Sequence, residues 1–177
     1  QSQPPPSVRV AARPVPTPKS RTPRRPTPDQ AHRSLSEAQL FDRLAGCDVA
    51  FVGSVPLDVH KPGADADLVC SAEDLASLAE RLEAHYRACA RFRTRLGRMH
   101  AMPTLTARFR LGALPVEVFA QPWSVAVQEA FVDFRIERRL LQLHGGHLRP
   151  HIRRLKAAGA EDRNGIRPRL PPRRRTA

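Results

Sequence analysis

Three carboxylates and one turn are the parts of this chain whose types and spacing suit chemistry. Gly53-Ser54 closes a short apolar run, Asp65 and Asp67 follow two positions apart, and Glu117 stands on a later alternating segment. Side chains at i and i+2 of an extended segment project to the same side, so Asp65 and Asp67 can face one cation together. A hard divalent ion, Mg²⁺ or Mn²⁺, takes such oxygen ligands along with the phosphates of a substrate. A third carboxylate from Glu117 would complete a site for two ions about 3.5–4 Å apart, which clamps the attacking and leaving oxygens of an in-line phosphoryl displacement. The glycine-led turn offers backbone N–H groups to phosphates. Each part also has a plainer reading. Aspartates favour turns, and Glu117 can simply pair with Arg108, an ion pair contributing about 0–1 kcal/mol. Arg108 can instead neutralise a triphosphate as a bidentate ligand. The combination favours nucleotidyl transfer over the separate plain readings.

The elements that must position these residues follow from periodicity. Leu35, Leu40, Phe41 and Leu44 share one helical face, with Gly46 as the stop, so a first helix is expected from Ser34. Asp48 to Ser54 reads as a buried strand running into the Gly-Ser turn, Val55 to Ala66 as a loop, and Leu68-Val-Cys70 as a second strand with Asp65 and Asp67 at its mouth. Ser71 and Asp74 form a capping-box pattern ahead of a helix carrying Leu75, Leu78, Leu82 and Tyr86. Residues 91–96 are expected as a third strand with an arginine-rich exposed face. Leu105 to Leu111 and Leu114 to Phe119 alternate around Gly112-Ala113, the period-two signature of a hairpin, and that turn sets Arg108 opposite Glu117. Ser124 is expected to cap a long helix ended by Gly145-Gly146, and a last helix covers about 148–158.

Phe51-Val-Gly-Ser54 followed by Ala64-Asp-Ala-Asp-Leu-Val69 resembles the Gly-Ser and Asp-x-Asp signature of the polymerase-beta-like nucleotidyltransferase superfamily. Gly53-Ser-Val-Pro-Leu57, Pro62-Gly-Ala-Asp-Ala-Asp67, Ala107-Arg-Phe-Arg110, Leu114-Pro-Val-Glu-Val-Phe119 with Gln121-Pro122, and Glu137-Arg-Arg-Leu-Leu141 resemble, more closely, an uncharacterised bacterial family of that superfamily, the domain of unknown function numbered 4269. The resemblance spans about residues 36–160. It implies an α/β (α+β) fold, a nucleotidyltransferase-like mixed β-sheet flanked by helices. It also implies Mg²⁺-dependent transfer of a nucleoside monophosphate from an NTP to an acceptor hydroxyl on a protein, an RNA or a small molecule. On that resemblance Gly53 and Ser54 hold the nucleotide, while Arg108 stays a candidate for its phosphates from its own chemistry and from no family motif. Asp65, Asp67 and Glu117 ligate metal, with Glu117 also helping to deprotonate the acceptor. Ala64 stands where the superfamily usually has Ser, and Glu117 where it more often has Asp.

The 177 residues suffice for one domain. The net charge of +13 invites a nucleic-acid reading until it is located. Residues 1–33 carry seven basic residues and one acid, and residues 161–177 six arginines and two acids, which leaves the middle near balance at +3. A histone-like or ribosomal protein is disfavoured, although the basic ends leave a nucleic-acid contact open. Nine of the 18 prolines fall within residues 4–28, so residues 1–33 are expected as a disordered Pro/Arg-rich tail, 34–160 as the nucleotidyltransferase-like domain, and 161–177 as a disordered basic tail. Codons GAA GAC CGA AAC GGC ATT CGC for residues 161–167, read one base later, give Lys-Thr-Glu-Thr-Ala-Phe-Ala, which is close to the family's pattern there. A frameshifted tail is one expectation, checked by the nucleotide sequence. No apolar run is long enough to cross a bilayer and no secretory signal is legible, so a soluble, cytoplasmic protein is expected. Three widely spaced cysteines suggest neither a disulfide framework nor a zinc site. Two alternatives to an enzyme stand beside these expectations. One is a catalytically degenerate nucleotide-binding module; the other is an RNA-associated protein using the arginines at 91, 93, 95 and 98.

Overall fold

Alternating segments that each bury one face need a partner layer. A computed structural model of the chain, describing residues 25–158, provides two such layers on one five-stranded mixed sheet. The strands are β1 (Asp48–Val52), β2 (Ala66–Ser71), β3 (Ala90–Met99), β4 (Met102–Leu111) and β5 (Leu114–Gln121), in spatial order β1-β2-β5-β4-β3. β2 and β5 run parallel and the other pairs antiparallel. One face, carrying Leu68, Cys70, Leu105, Ala107, Phe109, Val116 and Val118, packs on α1 (Pro28–Glu37), α2 (Leu40–Arg43) and α3 (Leu75–Tyr86). The Tyr86 and Phe109 rings stack there with centroids 4.7 Å apart. On the opposite face Val52 and Val69 pack with Val125, Phe131 and Phe134. Those residues come from a short 3-10 turn (Val125–Val127) and α4 (Glu129–Ala157).

Several boundaries differ from the sequence expectation. The tail assigned to residues 1–33 ends earlier, because α1 begins at Pro28; the rest of that assignment, and the tail 161–177, lie outside the described residues. The reason is local. Thr27 accepts a hydrogen bond from the Gln30 amide at 3.2 Å, and Gln30 Oε1 accepts one from the Thr27 amide at 2.9 Å. Pro28 sits at the first helical position, where its missing N–H costs nothing. Arg25 then pairs with Asp58 at 2.7 Å, and His60 Nε2 lies 2.8 Å from the Pro26 carbonyl, tying this start to the loop after β1. Thr27→Ala is expected to lower stability by about 1 kcal/mol, the usual value of such a cap. A thermal melt checks it, and an unchanged melt would mean that this cap adds nothing to the fold.

The expected first helix is two. Gln39 takes a left-handed conformation (φ 56°) between α1 and α2, and the Ala38 carbonyl next to the break accepts the Tyr86 hydroxyl at 2.8 Å. Asp74, not Ser71, caps α3, accepting from the Ser77 amide at 2.9 Å. Ser124 caps the 3-10 turn, and α4 starts only at Glu129. Gly145-Gly146 does not end α4, which also contains Pro150. A glycine stops a helix by turning left-handed, and neither of these has positive φ. They permit a bend instead. A straight helix would set Glu137 and Lys156 about 28 Å apart, yet both line one cleft and each electrostatically affects the other. Proline removes the N–H that would reach the Gly146 carbonyl, and Gly-Pro combinations are where helices kink. The bend packs Leu141 and Ile152 together on Leu57 and Val59 of the loop.

Candidate active site

The two layers leave a cleft of about 600 Å³ between the sheet and α4. Its floor is fixed by register. β2 and β5 pair Asp67 with Glu117, β4 and β5 pair Glu117 with Arg108, and β3 and β4 pair Arg108 with Arg93. One row across the sheet therefore reads Arg93, Arg108, Glu117, Asp67, and ends at Val52 of β1. Gly53 and Ser54, directly beyond Val52, line the cleft with Asp67 and Glu117. Gly53 has φ +78°, and a Cβ there would overlap Asp67 Oδ2. The turn thus lies directly against the carboxylate, which is why a glycine is required.

Of the sequence-derived site residues, Gly53, Ser54, Asp67 and Glu117 converge on the cleft. Asp65, just before β2 and largely exposed, and Arg108 are not among the residues lining the cleft; Arg108 stands beside Glu117, its Nε donating to Glu117 Oε2. The hairpin pairing expected from the Gly112-Ala113 turn is therefore the observed one. Among the described residues no three metal-ligating side chains are gathered into a ready cluster. Glu117 is engaged by Arg108 instead of turning wholly to Asp67.

The electrostatics suit a cation. Burial pushes the Asp67 carboxyl up to about 7; the negative charges of Glu117 and Asp65 push the same way, against Arg108 and Lys156. Asp65 is raised by burial and by Glu117, against Arg108, Arg110 and Arg93. Two carboxyls whose ionisation is disfavoured by burial and neighbouring negative charge are a donor set a hard divalent ion fits, because the ion's charge removes the penalty.

Sequence reasoning missed the opposite wall. Glu129, Asp133 and Glu137 lie four residues apart along α4 and all line the cleft, as does Lys156 from beyond the bend. Burial pushes Glu137 up to about 7, opposed by Lys156, and burial lowers Lys156. The i, i+4, i+8 spacing was the available signal. The expected helix stop at Gly145-Gly146 hid Lys156, since only the bend returns it to the cleft. Gln128, 2% exposed, anchors this wall by donating to the Cys70 and Trp123 carbonyls at 2.9 and 3.0 Å.

The model of the DUF4269 family, a domain of unknown function, matches residues 33–164. The chain belongs to the DUF4269 family. Among curated proteins none matches it by sequence. Solved structures share the fold of this DUF4269 chain. Cid1, described for its RNA terminal uridylyl transferase activity, superposes with a TM-score of 0.55 at 12% identity over 77% of this chain and 42% of its own. A cytoplasmic RNA terminal U-transferase gives 0.52 at 14% identity over 73% and 38%. A chain of the GLD-2/RNP-8 complex gives 0.52 at 14% identity over 76% and 55%. The DUF4269 chain thus has a nucleotidyltransferase fold, and spans about two fifths to just over half of these longer relatives. Among the described residues no helix is long and apolar enough to cross a membrane.

Proposed function

We propose that the DUF4269 chain transfers a nucleoside monophosphate from an NTP to an acceptor hydroxyl, with Mg²⁺ or Mn²⁺. The observation that carries this reading is the register pairing of Asp67 with Glu117, with the Gly53 turn packed against Asp67, at the floor of one cleft. The acceptor oxygen attacks the α-phosphorus, the bond to the β-phosphate oxygen breaks, pyrophosphate leaves, and the hydroxyl proton passes to a cleft carboxylate. Asp65, Asp67 and Glu117 would hold the divalent ions, whose chemistry is to neutralise charge developing on the phosphoryl oxygens. Gly53 and Ser54 present the turn to the triphosphate. Arg108 engages Glu117 through its Nε until a phosphate competes for the guanidinium. Fold likeness to Cid1, whose complexes with Mg 3′-dATP and MgGTP have been solved, supports the nucleotide and the metal.

The test is a thermal melt of the full chain with Mg²⁺ and each of the four NTPs, in wild type and in Asp65→Asn/Asp67→Asn. A ligand that binds only the folded state raises stability by about 2.7 kcal/mol at a hundred times its dissociation constant. The expected result is a magnesium-dependent rise in wild type that is lost in the double variant. A cooperative melt that no NTP shifts would sink the reading. A shift without pyrophosphate release in the presence of acceptors would leave a nucleotide-binding module.

A further inference from the structure

The β3–β4 hairpin, Ala90 to Leu111, contains six arginines and no Asp or Glu. Its register sets Arg93 directly opposite Arg108, a like-charge pair that is destabilising in a sheet. Arg95, two residues along β3, faces the same way. That face is the one bearing Glu117 and Asp67, and at Arg93, Arg95 and Arg108 it is exposed. The helix α3 packs on the other face, while α4 and the 3-10 turn contact β1 and β2. Arg98 and Arg110 donate to the Ala101 and Ala113 carbonyls at 2.5 and 2.8 Å, and Arg108 holds Glu117. Arg93 and Arg95 are exposed and make no hydrogen bond or ion pair within the described residues. Charges on an edge strand discourage edge-to-edge pairing. That role does not account for an Arg93/Arg108 pair set across two strands and leading to the carboxylates.

We infer that the arginine-bearing β3–β4 face is a track for a single-stranded nucleic acid, its phosphates on Arg93 and Arg95 and its end at the Asp67–Glu117 floor. Unpaired, exposed guanidiniums suit a phosphate backbone, as Arg presents a fork of donors to each phosphate. Farther along the same face of β3, Met99 lines the cleft together with His100 and with Trp123, which is 50% exposed. An exposed aromatic beside a basic track is the pairing that holds unpaired bases, since every base has a face to stack. An acidic peptide would satisfy the arginines but give Trp123 nothing to stack. The inference rests on the proposed nucleotidyl transfer only in making the strand's terminal hydroxyl the acceptor.

Binding of a fluorescein-labelled 12-nucleotide RNA to the full chain, without NTP or metal, tests the track by fluorescence anisotropy between about 50 and 200 mM salt. Arg93→Gln/Arg95→Gln is expected to weaken binding about tenfold or more. Its slope of log affinity against log salt should shrink by about 1.4, the value for two single-strand phosphate contacts. Arg138→Gln/Arg139→Gln removes the same charge from exposed positions of α4 outside the cleft, and should leave both quantities unchanged. Equal affinity and slope in wild type and the β3 variant would overturn the inference, because the RNA would then be held elsewhere. So would equal losses in the two variants, which would reflect net charge alone, or equally tight binding of a polyglutamate peptide of matched charge. A thermal melt of each variant confirms folding. Since no nucleotide is present, a failed transfer assay leaves this result standing, and failure here leaves nucleotidyl transfer with another acceptor.

Discussion

Asp67→Asn is expected to raise the melting temperature of the metal-free protein at pH 8 by about 5–10 °C, and to remove the magnesium–NTP-dependent rise. The sign follows from the raised carboxyl. Asp67 titrates near 7 in the folded chain against 3.8 for the free side chain. Between those values the folded state binds more protons than the unfolded state, so wild-type stability falls as pH climbs from about 4 to 7. The loss is complete above 7 and absent below 4. At about 1.4 kcal/mol per unit, burying this charge costs on the order of 2–4 kcal/mol at pH 8. Asparagine keeps the shape beside Gly53 and carries no charge, so the variant's melt should be flatter over that window. Some slope remains, because Glu137 is also raised to about 7. Melts in EDTA at pH 5 and pH 8 check this. A variant less stable than wild type at pH 8 would show that Asp67 holds the fold together, contrary to the strain inferred for it. A stabilising change that erases ligand response is the usual mark of a site kept at the expense of stability.

Gly53→Ala should produce the opposite effect on stability and the same effect on ligand response. Its φ of +78° costs an alanine about 1–2 kcal/mol. The added methyl also overlaps Asp67 Oδ2, so a total loss of about 2–4 kcal/mol is expected. Gly63 separates the two contributions. It has the same φ of +78° and nothing near the methyl position, so Gly63→Ala reports the backbone cost alone. Adding Asp67→Ala to Gly53→Ala should recover the difference between them, as contact pairs are non-additive and distant ones are not. If Gly53→Ala and Gly63→Ala are equally destabilising and Gly53→Ala still responds to NTP, the close approach of the turn to Asp67 has no role.

These two positions also show what was legible in the sequence. The alternation of β4 and β5 and their two-residue turn were enough to set Arg108 against Glu117, because hairpin register is fixed by local geometry. Placing Asp67 beside Glu117 drew on the resemblance, since a parallel pairing between distant segments leaves no local mark. What local patterns concealed lay where tertiary packing overrode them. Thr27-Pro-Asp-Gln30 is a capping box, but it sits at the end of a proline-rich stretch whose composition argued for no structure at all. Gly145-Gly146 signals a helix end, yet packing of Leu141 and Ile152 on the buried Leu57 and Val59 keeps both halves helical and bends them toward each other. The far wall of the site, Glu137 with Lys156, is created by that bend and was not readable from either half alone.

The sheet order bears on when such a site can exist. β3, β4 and β5 meet their neighbours through short connections, and β1 meets β2 across one loop, so both units can form from contacts close in sequence. The seam between β2 and β5 closes the longest loop of the sheet, and such closures are the slow events of folding. Asp67 and Glu117 belong to the two sides of that seam. The carboxylates that repel each other are thus expected to come together last, as the two halves dock. A growing chain carries no assembled site until β5 has emerged, and the charge repulsion at the floor should slow the docking step itself, faster refolding of Asp67→Asn being its kinetic signature.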